Sequence, residues 1–460
     1  MRKKYSLKFW ITFWLVASIF LAGWFVFWQN HFQSLNKKVT SSSSLSTKAI
    51  NTLPLSEMKK SRLVLIDKLI KEFINSEQEK TFLVLFQNNM ELRPGGGFIG
   101  SFGILKVKKG KVVSFQTHDT GNFDGRIKNA PQVPYPMEKY LHVKRLGLRD
   151  ANFSPDFPTN VQQIEKLYYQ GEGKEKFDGV IAITANVLQS LLEVTGPIKL
   201  KNYPGTYDQE NALIALEWQV EKGYKEQGVK KGERKSVLKE LGEEIIQRMH
   251  NLTVKQKLQL LKIIMQDLKQ KDIQLYFKDK SIEKLIKQNG WAGKVNRAWS
   301  KDYLMVVDAN LGAYKSDYYI QRSIDYKVDL SKAKPQAILK ITYNHTAQKR
   351  DWMTNNYLSY TRIYLPQKAW VIHHKNTSEE IFGKEFQKKF LGATIMVPIH
   401  QKKTITIQYN LPVSFKNDYN LLIQKQPGVN NVKTKITIIN ANGKETTQKF
   451  LLNQDWQWRK

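Results

Sequence analysis

The chain has 460 residues, of which 41% are hydrophobic and 12% aromatic, so it can bury substantial cores and is not a mainly disordered protein. A chain of this length normally forms more than one folded unit. Its formal charge of +32 favours anionic partners, and the absence of cysteine excludes disulfides, thiolate metal sites and cysteine nucleophiles.

The first segment with a clear prediction is residues 9–28, a run of 20 residues without a charge. As a helix, such a run is long enough to cross about 30 Å of hydrocarbon. Residues 1–8 contain four basic side chains, and the next basic residue is Lys37. The positive-inside rule therefore predicts a cytoplasmic tail at 1–8, one transmembrane helix in the cell membrane and an extracytoplasmic body. A cleaved signal peptide is the alternative, but the run is long for one and lacks a small-residue cleavage site.

The next part of the chain predicts a stalk and then a layered α/β or α+β domain. Residues 29–55 are rich in serine and are typical of a flexible stalk. Residues 56–314 alternate helical and strand patterns, which indicates layers of helices on a sheet. The predicted helices lie at 56–74, 159–170, 185–194, 208–223, 232–249 and 253–270. The predicted strands lie at 81–86, 98–107, 112–116, 177–184, 273–277 and 303–308, and a proline-punctuated loop covers about 118–158.

Residues 315–460 show a different pattern, with short alternating strands, turn signals and no predicted helix. This pattern predicts an all-β sandwich domain. The predicted domain is also basic, because residues 321–460 carry 23 basic and 9 acidic side chains, a net charge of +14. Residues 1–55 carry 7 basic side chains and no acidic one, so the positive charge is concentrated beside the membrane and in the last domain.

The strongest candidate for a ligand site contains Glu91, Arg93 and three consecutive glycines, Gly95, Gly96 and Gly97. Successive glycine N–H groups can converge on an anion, and an arginine can hold a phosphate through two parallel bonds. The glutamate would orient the arginine or hold a metal. The alternative is a tight turn with a Glu–Arg ion pair. A literal G-x-G-x-x-G pattern begins at the first glycine, but a strand rather than a helix is predicted after it, so a dinucleotide site is rejected.

Two later segments of the predicted long loop add charged side chains. His118, Asp119 and Asp124 come close together, and the two carboxylates suit Mg²⁺ or Ca²⁺, although their spacing is not that of an EF-hand. Arg149 and Asp156 end the loop. Turns and helix caps explain each carboxylate alone, so only convergence in space would make a site. The sequence has no Walker-A, H-E-x-x-H or G-x-S-x-G string, which leaves nucleotidase, zincin and lipase functions without support.

The remaining patterns argue against nucleic acid as a partner. The charge run at 221–239 mixes both signs, which is more typical of a solvated helix face. No RNA-binding aromatic signature accompanies the positive charge, and an extracytoplasmic location removes DNA. His373 and His374 fall in a predicted strand and are interpreted as surface residues. The sequence has no repeat with a period of 20–50 residues.

Five motifs, in order along the chain, resemble a family of bacterial membrane proteins known as domain of unknown function 4012. They lie at residues 88–98, 149–158, 177–180, 195–197 and 424–428. The resemblance spans roughly residues 80–430. It implies no activity, because the function of that family is not known.

The chain is also similar, more distantly, to the LytR–CpsA–Psr enzymes. These enzymes are anchored by one N-terminal helix and transfer phosphate-linked glycopolymers from a polyprenyl carrier to the cell wall, using Mg²⁺, aspartate and arginine. The similar segments lie at residues 110–120, 177–180, 196–198, 211–213 and 234–238. His118 stands where that family has the arginine of its P-R-D-T motif, and only Arg234 remains of the later arginine cluster.

These patterns and likenesses predict an extracytoplasmic cell-envelope protein. Its expected partners are the lipid bilayer and an anionic wall polymer or a polyprenyl-phosphate-linked glycan, with glycopolymer transfer as the enzymatic version. Phosphate would be bound by Arg93, Gly95, Gly96, Gly97, Arg149 and Arg234. Asp119 and Arg93 would be the catalytic residues, and Asp119 and Asp124 would bind Mg²⁺. Glu91, His118 and Asp156 would support these residues from behind. The alternatives are a non-catalytic envelope scaffold or adhesion protein, and motif residues that only build the fold.

Overall fold

The structure is a computed structural model that describes residues 56–70, 76–109, 111–230 and 236–459. An α/β region is followed by β-rich sheets, which confirms the predicted order of fold classes. Within the described residues, no helix is long and apolar enough to cross a membrane. The predicted tail, transmembrane helix and stalk, at 1–8, 9–28 and 29–55, lie outside the described residues, as does Arg234.

The α/β region is built on one sheet of five strands. The strands of this sheet are β1 (Lys80–Asn88), β2 (Phe98–Lys108), β3 (Lys111–Asp119), β4 (Gly179–Thr184) and β7 (Ile273–Phe277). Two further strands, β5 (Ile198–Lys199) and β6 (Thr206–Tyr207), form a separate two-stranded ribbon. The order in the main sheet is β3-β2-β1-β4-β7. The central strand β1 pairs antiparallel with β2 and parallel with β4.

Helices cover both faces of this sheet. They are α1 (Glu57–Ile70), α2 (Thr120–Asp124), α3 (Met137–Leu141), α4 (Phe157–Gln170), α5 (Asn186–Thr195), α6 (Ala212–Trp218), α7 (Tyr224–Glu226), α8 (Ser236–His250), α9 (Val254–Gln270) and α10 (Lys280–Gln288). Phe82, Val84 and Phe86 join the core on the side of α5, α6, α8 and α9. Leu83 and Leu85 join the core with α4 on the other side. Because both faces are covered, β1 is a continuous apolar run rather than an alternating one.

The β-rich region consists of two six-stranded sheets. Its strands are β8 (Asp302–Asn310), β9 (Ile320–Asp329), β10 (Gln336–His345), β11 (Tyr357–Pro366), β12 (Trp370–Lys375), β13 (Ser378–Glu385), β14 (Lys388–Val397), β15 (Lys402–Asn410), β16 (Asn420–Ile423), β17 (Val432–Ile439), β18 (Glu445–Leu452) and β19 (Trp456–Arg459). The strand orders are β12-β15-β10-β9-β17-β18 and β13-β14-β11-β8-β16-β19. Tyr326 and Leu339 of the first sheet share one hydrophobic core with Ile363 and Ile395 of the second.

The strand β8 differs from the sequence prediction in the sheet that it joins. The sequence places this strand in the α/β domain, before a boundary at residue 315. In the structure it pairs antiparallel with β11 and parallel with β16, inside a sheet of the β-rich region. The apolar pattern of a strand shows that it is buried, but it does not show which sheet it joins. By strand pairing, the β-rich region therefore begins at residue 302.

Candidate functional site

A cleft of about 410 Å³ opens at the edge of the five-stranded sheet where β1 and β4 end. Its inner lining is aliphatic and comes from β4, α5, α6, the turn after α6, and α8. These side chains are Ile183, Val187, Leu188, Leu191, Leu213, Leu216, Val220 and Leu238. The spacing of three and four residues puts Leu213, Leu216 and Val220 on one face of the α6 helix and its continuation. We refer to this site as the apolar cleft.

The open end of the apolar cleft is polar and contains three of the predicted site residues, Glu91, Asp119 and Arg149. Asp119 caps α2 by accepting a hydrogen bond of 3.0 Å from the Asn122 N–H. A Cβ atom placed on Gly121 would lie 3.0 Å from Asp119 Oδ1 and 3.6 Å from Arg149 Nη2. The carboxylate and the guanidinium therefore lie near each other.

Arg149 is held in place by Asp124. Its Nε donates to Asp124 Oδ2 at 2.6 Å, while the Leu148 N–H donates to Oδ1 of the same carboxylate at 2.6 Å. Burial raises the pKa of Asp124, and the bonds from Arg149 and Leu148 oppose that rise. Within the described residues, the two Nη groups of Arg149 have no hydrogen-bond partner. They are therefore available to an anion at the open end of the apolar cleft.

Two polar residues of the open end were missed by the sequence analysis, Glu217 and Lys315. Lys315 Nζ lies 3.3 Å from Glu217 Oε2, and Asn88 donates to Glu217 Oε1 at 2.8 Å. Burial raises the pKa of Glu217, although Lys315 opposes the rise. Burial lowers the pKa of Lys315, but the nearby carboxylates of Glu217, Glu221 and Glu91 outweigh it, so the net shift is upward. The only sequence signal for these residues was the pair Glu217 and Glu221, which lie four residues apart beside the apolar face of the helix predicted at 208–223.

Arg93 does not line the apolar cleft and is only 1% exposed. Its guanidinium donates to Asp150 Oδ1 at 2.7 Å, to Glu91 Oε1 at 2.9 Å and to the Asn310 carbonyl at 2.9 Å. Burial would lower its pKa, but the carboxylates of Asp150 and Glu91 raise it overall. This geometry matches the Glu–Arg ion pair considered as the alternative and leaves Arg93 unavailable to bind a phosphate.

The three glycines form a close contact between loops rather than an anion-binding nest. The Gly95 N–H donates to the Asn152 carbonyl and the Gly96 N–H to the Arg93 carbonyl, both at 2.9 Å. Gly96 has a φ of +130°, which side chains rarely adopt. A Cβ on Gly428 would lie only 2.1 Å from the Gly96 carbonyl oxygen. The glycine run is therefore explained by packing, and two of its three N–H groups are already engaged.

His118 and Asp156 do not line the apolar cleft. The His118 ring stacks on Phe102 with 4.9 Å between centroids, and burial together with the Arg126 charge lowers its pKa. Asp156 is buried and accepts hydrogen bonds from the Val295 N–H at 2.9 Å and from Thr159 Oγ1 at 2.7 Å. Both side chains therefore contact other parts of the fold and do not line the apolar cleft.

The predicted Mg²⁺ site has no support from the side chains that the structure describes. No three histidine, aspartate or glutamate residues among them converge in a way that could hold a metal ion. Asp124 already accepts from Arg149 and Leu148 with its two oxygens, and Asp119 caps α2. These two carboxylates do not provide the oxygen-rich donor set that Mg²⁺ requires.

Residues 77–220 match the sequence profile of the family described as protein of unknown function (DUF4012). The matched segment runs from just before β1 to the turn that follows α6. It therefore supplies most of the apolar cleft and all of the predicted site residues except Arg234. No curated protein matches the chain.

Proposed function

We propose that this chain, which contains a DUF4012 family region, binds a lipid phosphate such as the carrier end of a polyprenyl-phosphate-linked glycan. The observation that carries the proposal is a cleft with aliphatic walls whose lining includes Arg149. The two Nη groups of this arginine have no hydrogen-bond partner among the described residues. A ligand with a hydrocarbon chain and one phosphate has the same division of polarity. The chain would occupy the interior, and the phosphate would lie at Arg149 and Lys315.

The dimensions of the apolar cleft suit part of a lipid rather than a whole one. Its volume of about 410 Å³ falls in the range of small-molecule sites and has room for the first few isoprene units. Each buried methylene contributes about 0.8 kcal/mol, from which the free-energy cost of association must be subtracted. Its position beyond the carboxyl ends of the parallel strands β1 and β4 is a usual ligand position in α/β sheets.

Two of the four acidic groups that line the apolar cleft are paired with cations, which reduces the repulsion of an anionic head group. Glu91 is paired with Arg93 at 2.9 Å, and Glu217 with Lys315 at 3.3 Å. Asp119 accepts from the backbone of α2. Arg149 is the group that can form two parallel bonds with a phosphate.

The proposal also gives the chain a location and a partner. The predicted transmembrane helix at 9–28 would hold the extracytoplasmic body beside the bilayer that contains the lipid. The basic composition of the chain, with a net charge of +32, would favour the anionic head groups and wall polymers found there.

Arg93 is buried and paired, which favours binding or scaffolding over glycopolymer transfer. This predicted catalytic arginine is 1% exposed and is engaged by Asp150, Glu91 and the Asn310 carbonyl. A transferase needs its charge-stabilising groups directed at the reacting phosphate. We therefore propose that the chain binds a lipid phosphate, and we do not propose that it transfers a glycopolymer.

Calorimetric titration of the purified full-length chain with farnesyl phosphate, farnesol and inorganic phosphate tests the proposal. Leu238→Trp, which fills the apolar cleft, is expected to weaken farnesyl phosphate binding at least tenfold. The matched control is Leu258→Trp, at a side chain that is 57% exposed and outside the cleft. Unchanged farnesyl phosphate affinity in Leu238→Trp, with the melting temperature preserved, would contradict the proposal.

A second pair of variants tests the polar end. Arg149→Gln is expected to weaken farnesyl phosphate binding about tenfold, a loss of about 1.4 kcal/mol, and to leave farnesol binding unchanged. The control is Arg145→Gln, because Arg145 donates to the Ala130 carbonyl and does not line the apolar cleft. Equal losses for the phosphate and the alcohol would remove the assigned role of Arg149.

A further inference from the structure

A second cleft, of about 540 Å³, lies between the α/β region and the β-rich region. Its lining is dominated by uncharged amides and hydroxyls from the ends of β1 and α5, from β9 and β10, and from the loop before β17. These residues are Asn89, Asn186, Gln189, Gln321, Ser323, Thr342, Asn344, Asn430 and Asn431. We refer to this site as the amide cleft. It shares Met90 and Leu213 with the apolar cleft, so the two lie side by side.

The buried charges in the wall of the amide cleft, Asp317 and Arg322, are paired within the protein. Asp317 accepts from Arg322 Nη2 at 2.5 Å and from Asn310 Nδ2 at 2.7 Å. Arg322 also donates to Asp308 at 2.7 Å. Lys402 and Lys433 are exposed side chains at the surface of the cleft. The cleft therefore presents mainly neutral hydrogen-bonding groups to a ligand.

A buried carboxylate fixes the orientation of the amides. Asp272, which is 1% exposed, accepts from Asn186 Nδ2 at 2.9 Å and from Asn430 Nδ2 at 2.8 Å. Asn186 Oδ1 in turn accepts from Asn89 Nδ2 at 2.9 Å. Oδ1 of Asn89 and Oδ1 of Asn430 are left without a donor among the described residues. Both oxygens have almost no exposed surface, so a ligand would contact the more exposed amides of Gln321, Asn344 and Asn431 instead.

An aromatic ring completes the lining of the amide cleft. Tyr318 is 45% exposed, and its ring contacts Tyr319 edge-on at 5.2 Å. Such a ring has an apolar face with a polar tip. A sugar ring has the complementary surfaces, with C–H groups on its faces and hydroxyls around its rim.

We propose that the amide cleft binds an oligosaccharide of hexose or N-acetylhexosamine units. Amides both donate and accept, so they match adjacent sugar hydroxyls, which do the same. The binding of free sugar in the amide cleft does not depend on lipid-phosphate binding in the apolar cleft. If both proposals hold, one lipid-linked glycan spans the two clefts. Its sugars would occupy the amide cleft, and its hydrocarbon chain would occupy the apolar cleft on the other side of Met90 and Leu213.

Saturation-transfer NMR of the full-length chain with maltotetraose and with a tetramer of β-1,4-linked N-acetylglucosamine tests this inference. At least one of them is expected to bind with a Kd on the order of 1 mM. Tyr318→Ala is expected to weaken that binding at least fivefold. Tyr169→Ala is the matched control, because Tyr169 is 46% exposed, contacts a neighbouring tyrosine in the same way and lies outside the cleft.

Two further variants and one competitor separate the possible results. Leu238→Trp should keep sugar binding while losing farnesyl phosphate, so failure of one proposal is distinguishable from failure of the other. Asn344→Leu should weaken sugar binding without lowering the melting temperature. The inference is overturned if neither sugar binds at a concentration of about ten times the expected Kd. It is also overturned if Tyr318→Ala and Tyr169→Ala bind the sugar with the same affinity, or if inorganic tripolyphosphate displaces the sugar.

Discussion

Arg93 joins three segments of the chain from a buried position. Its partners are Asp150 from the loop before α4, Glu91 from the loop after β1, and the Asn310 carbonyl at the end of β8. The Arg93 guanidinium also lies over the Phe98 ring, 5.5 Å from its centroid. Loss of this side chain would leave two carboxylates in a buried environment without their counter-charge.

Arg93→Ala is therefore expected to lower the free energy of unfolding by about 3–5 kcal/mol. Urea titration followed by circular dichroism measures the change. Arg145→Ala is the control and should cost within about 0.5 kcal/mol, because Arg145 makes one bond, to a backbone carbonyl, at an exposed position. An Arg93→Ala chain as stable as the Arg145→Ala chain would show that the ion-pair cluster is not structural.

Asp267 is a buried carboxyl group that gives the fold a pH dependence. Burial, and secondarily the charge of Asp272, raise the pKa of Asp267 to about 8. Its Oδ1 accepts from Ser190 Oγ at 2.9 Å, while its Oδ2 has no donor among the described residues. The unfolded carboxyl ionises near 3.8, so the folded state holds the extra proton between about pH 4 and pH 8. Stability should therefore fall as the pH rises through that window.

Between pH 6 and pH 8, this group is expected to cost roughly 1–3 kcal/mol of unfolding free energy. Urea titrations at the two pH values measure the loss. Asp267→Asn keeps the shape of the side chain and removes its ionisation, so the variant should lose much less stability over the same range. The same loss in the wild-type chain and in Asp267→Asn would assign the pH dependence to other groups.

At the scale of elements, most of the long strands and helices of the α/β region were predictable, whereas α10 and the long loop were not. The apolar run in β1 and the helical spacing in α5 and α9 predict their elements directly. The predicted loop at 118–158 contains α2 and α3, each of five residues. Helices this short complete too little of the 3.6-residue period to be recognised from their apolar spacing.

The glycine loop after β1 gives a prediction about backbone conformation. Gly96→Ala is expected to destabilise the chain by about 1–3 kcal/mol, because Gly96 has a φ of +130° and a new Cβ would lie 2.2 Å from Gln87 Oε1. Gly100→Ala is the control, since a Cβ there would meet nothing within 4 Å. Thermal melts compare the two variants, and equal melting temperatures would contradict this account of the loop.

The candidate site was predicted in part. The sequence identified Glu91, Asp119 and Arg149, which meet at the open end of the apolar cleft. It assigned Arg93 to ligand binding because the chemistry of an arginine does not show whether protein carboxylates already surround it. It missed Glu217 and Lys315 because their ion pair joins residues that are far apart in the chain.

At the scale of the whole molecule, motifs from both regions meet at one junction. Gln426 Nε2 donates to the Arg93 carbonyl at 3.4 Å, and Lys271 Nζ donates to the Lys425 carbonyl at 2.9 Å. Arg93 Nη1 donates to the Asn310 carbonyl, at the end of β8, at 2.9 Å. Lys271, after α9, is paired with Asp455 at 2.6 Å. The α/β region and the β-rich region are therefore joined by buried polar contacts, in addition to the chain that connects them.

Because of this junction, the two regions are expected to unfold together, in one calorimetric transition. Gln426→Ala should lower the temperature of that transition, at a cost of about 1–3 kcal/mol. It removes a bond to the Arg93 carbonyl across the junction and two bonds to the Asp308 backbone within the β-rich region. Gln448→Ala, at an exposed position of β18, is the control and should leave the transition temperature nearly unchanged. Two well-separated transitions in the wild-type chain would show that the junction does not couple the regions.

Photo-crosslinking with a farnesyl phosphate that carries a diazirine in its chain tests lipid-phosphate binding most directly. After irradiation with the full-length chain, mass spectrometry of the digest identifies the labelled residues. We expect labels on the lining of the apolar cleft between residues 183 and 220, and we expect excess unmodified farnesyl phosphate to suppress them. Labels confined to the outer surface, or labels that the competitor does not reduce, would contradict the account.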